Sequence, residues 1–157
     1  PEKFVGLLCA RVGVRNARIC FANAGLTPPL VRRRSGEFEE FTAGGMLLGV
    51  RAPWAYAETW VELDAGDLVV IYSDGLTEAR RGEEMFGVEG IQRVLEEHRE
   101  RRAADILDAL LSAVRTWTDR PLDDVTVVVL RQLTRAGRPG GPQNALKRTP
   151  VVADAMG

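Results

Sequence analysis

Leu68-Val69-Val70-Ile71-Tyr72-Ser73-Asp74-Gly75-Leu76-Thr77-Glu78-Ala79-Arg80 holds five apolar residues that run straight into Ser-Asp-Gly. An unbroken run this short, rich in β-branched residues and flanked by turn formers, reads as a strand covered on both faces, and so as the middle of a sheet. A second such run, Val125 to Leu130, follows Asp123-Asp124. Asp74 lies past the C-terminal end of the first run, and Asp123 and Asp124 precede the N-terminal end of the second. If the two strands are antiparallel, these carboxylates meet at one end of the sheet.

Hard cations such as Mg²⁺ and Mn²⁺ take oxygen ligands and keep several waters, so two or three carboxylates on rigid strand ends suit them. A pair of such ions acidifies a water and neutralises phosphate charge, which makes a protein nucleophile unnecessary. The remaining residues point the same way. The single histidine, His98, sits among Glu96, Glu97, Arg99 and Glu100 and reads as a solvated helix-surface residue. There is no nucleophile elbow and no cysteine in a phosphate loop. Taken singly, Asp-Gly after a strand is usually a turn and Asp-Asp before one is often a solvated edge; their wider sequence context changes that reading.

Working outward, Phe4 to Val12 and Ala17 to Ala22 read as an opening hairpin around Gly13-Val14-Arg15-Asn16. Leu30 to Arg34 and Glu37 to Thr42 read as a second hairpin around a two-residue Ser35-Gly36 turn. That register would set Arg34 opposite Glu37 and Arg32 opposite Glu39, giving the triple arginine an ordinary role on an exposed strand. Gly44 to Gly49 lacks the spacing and the lysine of a phosphate loop and is read as structural. Ala57 to Leu63 alternates as a strand, with a turn at Asp64 to Asp67. Apolar residues at helical spacing predict helices from Val88 to about Arg101 and from Ala104 to Thr118. Cys9 and Cys20 sit in apolar strand-like runs and are expected as reduced thiols, although a hairpin could bring them together.

The chain has 157 residues, enough for one domain with a substantial core. Its 21 Lys and Arg against 22 Asp and Glu create no positive field to recruit nucleic acid or anionic lipid. No window has the apolar length of a membrane span, and there is no charged-then-apolar leader, so a cytoplasmic location is expected. Residues 1–133 are read as the domain. Residues 134–157, with Pro and Gly but no apolar periodicity, are read as a disordered tail.

The run Tyr72 to Arg80 resembles the second metal-binding motif of the SpoIIE/RsbU branch of the PPM-type serine/threonine phosphatases. The same order continues in Ala22-Asn23-Ala24-Gly25, Pro28-Pro29-Leu30, Leu48-Gly49, Gly66-Asp67-Leu68 and Asp123-Asp124-Val125-Thr126, so the likeness covers roughly residues 2–132. The resemblance implies an α+β fold, an α-β-β-α sandwich that is N-terminally incomplete here. It also implies a centre of two Mg²⁺ or Mn²⁺ ions in the complete domain, hydrolysing phosphoserine or phosphothreonine on anti-anti-sigma-type proteins. Asp74 and Asp123 would be metal ligands, Asp124 would support them, and Gly75 would permit a tight turn behind Asp74. An upstream sensory or regulatory domain is expected, and a homodimer is left open.

Two departures from the family pattern stand out. Leu26 occupies the place of a histidine, and the family's Asp-x-x-Gly-His-Gly motif, whose aspartate bridges both metals, is not in this sequence. The chain is therefore expected to be inactive alone. The alternative is a degenerate phosphatase fold acting as a non-catalytic protein-binding module.

Overall fold

The computed structural model describes residues 3–13, 16–51, 53–120 and 123–133, and the backbone of Pro150–Ala153. The chain divides into two compact units, one formed by residues 1–28, 41–64 and 134–157 and the other by residues 29–40 and 65–133.

In the first unit, β1 (Leu7–Gly13), β2 (Arg18–Ala24) and β6 (Thr59–Glu62) form an antiparallel sheet in the order β1-β2-β6. The opening hairpin is as expected, with Gly13 facing Arg18 and Leu7 facing Ala24. The strand predicted from Ala57 begins instead at Thr59, and a separate strand β5 (Trp54–Ala57) precedes it. Strand β5 pairs with β11 (Pro150–Ala153), which lies in the stretch expected as a tail; the rest of that stretch is outside the described residues. Cys20 is buried and Cys9 exposed, and both are free thiols. Burial, and then the charge of Glu58, pushes the Cys20 thiol up.

The second unit is built on a four-stranded antiparallel sheet in the order β10-β7-β3-β4, from β3 (Leu30–Arg32), β4 (Phe38–Glu40), β7 (Leu68–Tyr72) and β10 (Val127–Arg131). Strand β7 is central, as expected, and Leu68, Val69 and Val70 have no solvent exposure. Helices α2 (Gly87–Glu97) and α3 (Ala103–Trp117) bury Ile91, Leu95, Ile106 and Leu110 in one cluster with Leu68, Val70 and Tyr72 of the sheet. The second apolar run becomes the edge strand β10, only partly buried along its length, with Val128 42% exposed. Composition alone does not distinguish an edge from a centre; strand order does. Between Asp74 and Met85 lie two elements without a periodic signature. They are a one-turn helix α1 (Asp74–Thr77) and a hairpin of β8 (Arg80–Arg81) and β9 (Glu84–Met85), with Arg81 stacked 3.7 Å from the Trp117 ring centroid.

The register of the β3–β4 hairpin differs from expectation by one residue. Arg32 faces Phe38 and Val31 faces Glu39, while the Arg33 amide donates to the Glu37 carbonyl at 2.7 Å. The loop is therefore Arg34-Ser35-Gly36, three residues long, with Gly36 at φ +98° supplying the left-handed position such a loop needs. A one-residue slip moves every side chain to the opposite face. Arg32 consequently lies on the helix-covered face, 4% exposed, and pairs with Glu96 of α2 at 2.7 Å. Arg33 takes the other face, bonded to Glu39 at 2.6 Å and to Asp67 at 3.0 Å. The side chains of Arg32 and Arg33 are thus tied into the fold instead of decorating an exposed strand, while Arg34 is held through its amide.

Candidate metal site

The β7–β10 ladder is antiparallel, with Tyr72 opposite Val127 and Leu68 opposite Arg131. Its pairing continues past Tyr72 through side chain and backbone. The Ser73 amide donates to the Thr126 carbonyl at 2.9 Å, and the Thr126 amide donates back to Ser73 Oγ at 2.9 Å. Ser73 Oγ in turn donates to the Asp124 carbonyl at 3.1 Å. The segments carrying Asp74 and Asp123-Asp124 therefore leave the same end of the sheet, bonded to one another.

Asp74 opens α1 and is exposed; its Oδ1 accepts the Gly75 amide at 2.9 Å, and its carbonyl accepts the Glu78 amide at 2.8 Å. Asp123 and Asp124 are also exposed. Gly75 is buried and does not occupy the left-handed region, so the reason for glycine is not a turn. A Cβ there would stand 2.7 Å from the Asp124 carbonyl oxygen, and only glycine lets the two segments approach this closely. Ser73 is the residue of this site that the sequence does not single out. Its one visible signal is adjacency to Asp74, because the second segment it clips lies 51 residues away in sequence.

These residues suit a hard divalent cation in kind: exposed carboxylates on two mutually bonded segments. They fall short in number. Among the described residues, no group of three or more His, Cys, Asp and Glu side chains comes together to hold a metal. His98 is not among candidate donors here; it ends α2, with Nδ1 3.1 Å from the Val94 carbonyl.

Two other motif segments have structural duties. Asn23, 4% exposed, clamps the following turn by accepting the Leu26 amide and donating to the Leu26 carbonyl, both at 2.9 Å, around Gly25 at φ +79°. Leu26 itself is 44% exposed. Asp67 is a buried acid, 2% exposed, that accepts the Arg34 amide at 2.8 Å as well as the Arg33 guanidinium. Arg33 is held firmly protonated, chiefly by Glu39 and also by Asp67.

The α+β architecture is that of the PP2C, or PPM-type, phosphatase domains. It matches the phosphatase domain of the Bacillus subtilis cell fate determinant SpoIIE, presoaked with Mn, with a TM-score of 0.63 and 22% identity over 88% of this chain and 59% of that one. It also matches the RsbU and RsbW domains of a Mycobacterium tuberculosis protein, with a TM-score of 0.67 and 19% identity over 83% of this chain and 37% of that one. Residues 1–133 match the family described as Stage II sporulation protein E (SpoIIE), and the chain belongs to that family. In sequence it is 27% identical over 131 residues to the phosphoserine phosphatase RsbU of Bacillus subtilis (strain 168), covering 82% of this chain. The chain spans 39% of the length of that relative.

Proposed function

We propose that this chain is part of a metal-dependent protein serine/threonine phosphatase, in which Asp74 and Asp123 hold a Mg²⁺ or Mn²⁺ ion with Asp124 and Gly75 in support. The observation that carries this reading is the antiparallel β7–β10 ladder, which ends with the two aspartate segments bonded through Ser73 at one end of the sheet. Membership of the SpoIIE family and similarity to a phosphoserine phosphatase support the reaction class. The chemistry such ions supply is acidification of water and screening of phosphate charge. The chain's own residues do the positioning. Ser73 fixes one aspartate segment against the other, Gly75 allows their close approach, and the exposure of Asp74 and Asp123 leaves their oxygens accessible to ion and substrate.

In this reading the complete centre holds two ions and draws ligands from sequence outside this chain, so the chain alone is inactive. The substrate is a phosphorylated anti-anti-sigma-type protein, an upstream sensory or regulatory domain governs the activity, and the protein works in the cytoplasm. Among the described residues, no helix is long and apolar enough to cross a membrane. A non-catalytic binding module is the competing reading, favoured by the shortage of donors. Against it stands the presence of Asp74, Asp123 and Asp124 together at the motif positions, on two segments bonded to one another.

Hydrolysis of a phosphoserine peptide with Mn²⁺ tests the proposal on this chain and on a longer natural chain that includes the preceding sequence. The longer chain should turn over and gain melting temperature with Mn²⁺, and Asp74→Asn with Asp123→Asn should abolish both effects. Comparable turnover by the short chain would refute the partial-site reading. A longer chain indifferent to Mn²⁺ and to both substitutions would favour the binding module.

A further inference from the structure

At the opposite end of the β7–β10 ladder from Asp74, the second unit contains a cavity of about 400 Å³ lined by Arg32, Arg34, Ser35, Glu96, Arg99 and Arg131, with Gly36, Gly66 and Glu100 completing its wall. Four guanidinium groups face two carboxylates. The acids are already engaged on one side: Glu96 accepts from buried Arg32 at 2.7 Å and lies 3.6 Å from Arg99, while Glu100 lies 3.8 Å from Arg99. Arg131 donates to the carbonyls of Arg99 and Arg101, which orient its guanidinium without neutralising its charge. Arg34 anchors its amide on Asp67 and packs its stem against Gly66, and among the described residues its guanidinium has no acidic partner within ion-pair distance. The lining thus carries two uncompensated positive charges, on Arg34 and Arg131, in a concave polar space. Arg32, whose side chain is 5% exposed, forms part of the wall and is locked by Glu96.

We propose that this cavity is an anion site for a phosphate monoester or free phosphate, separate from the candidate metal site. The planar forks of Arg34 and Arg131 match the oxygen geometry of a tetrahedral dianion and would bind it by charge-assisted hydrogen bonds. The salt bridges of Glu96 and Glu100 account for Arg32 and Arg99 and leave Arg34 and Arg131 without an acid in the lining. The one-residue register of the β3–β4 hairpin creates the site. It directs Arg32 inward against α2 and leaves Arg34 in the loop at the mouth.

Calorimetric titration of the chain with inorganic phosphate, in EDTA and at constant ionic strength, tests the proposal. Saturable 1:1 binding is expected, weakened by about tenfold or more in Arg34→Gln and in Arg131→Gln, as expected for losing one charged hydrogen-bonding group. Asp74→Asn should bind as the parent does. Arg34 is exposed, so its substitution leaves the fold intact, and an unchanged melting temperature without phosphate checks this. A phosphoserine peptide that binds more tightly than phosphate would identify a protein-borne group as the source; equal affinity would identify a small free phosphate. Absence of saturable binding would overturn the proposal. So would binding that survives Arg34→Gln and Arg131→Gln, or binding matched by chloride.

Discussion

Gly75 shows how one residue links the sequence motif to its geometry. By helix propensity alone, alanine at this position in α1 would gain about 1 kcal/mol. The Cβ would meet the Asp124 carbonyl oxygen at 2.7 Å and its carbon at 3.2 Å, a backbone contact that no rotamer change relieves. Overpacking of this kind costs about 1–3 kcal/mol, so Gly75→Ala is expected to lower stability in urea by up to about 2 kcal/mol net. In the longer natural chain it should also weaken Mn²⁺ binding, because the two aspartate segments must separate. A variant more stable than its parent by the full propensity gain of about 1 kcal/mol would show that the segments are not held this close. Asp74, Asp123 and Gly75 could all be picked out from their motifs. Ser73 could not, since its role exists only where residue 124 comes back to meet it.

Among the elements, the β3–β4 hairpin separates composition from register. The charges of Arg32 to Arg34 and Glu37 to Glu39 fit a two-residue turn as well as a three-residue one, so charge pairing alone could not choose. The choice is made by Gly36 in the left-handed position and by Asp67, which accepts both the Arg34 amide and the Arg33 side chain. Asp67→Ala leaves the Arg34 amide without its acceptor and takes one of two acids from Arg33, and is expected to cost about 2–3 kcal/mol in urea unfolding. It should also loosen the loop that carries Arg34. A loss under about 1 kcal/mol, the range of exposed pairs, would mean Glu39 alone holds Arg33. The helices were legible because a 3.6-residue stripe survives any tertiary arrangement. Helix α1 and the β8–β9 hairpin were not, being too short to establish a period.

For the molecule as a whole, Tyr72 ties stability to alkaline pH. Burial, and then the charge of Glu40, pushes its hydroxyl up from 10.0 to about 12. A folded-state value above the unfolded one means the neutral form is favoured by folding. This contribution is therefore complete below pH 10 and lost as pH rises towards 12. Urea unfolding between pH 9 and 11.5 should show the parent losing stability faster than Tyr72→Phe, whose ring cannot ionise; parallel curves would contradict the shift. The strand-rich α+β class, the strand at Leu68–Tyr72, the two long helices and the aspartates that mark the family could be read from the sequence alone, because hydrophobic period and motif spacing are local properties. That β7 is central and β10 an edge, that the β3–β4 hairpin turns on three residues, and that Arg34 and Arg131 line one cavity emerged from the fold alone. Each of these depends on which distant segment lies alongside, and neighbours across a sheet are chosen by hydrogen bonding and packing that no single stretch of chain contains.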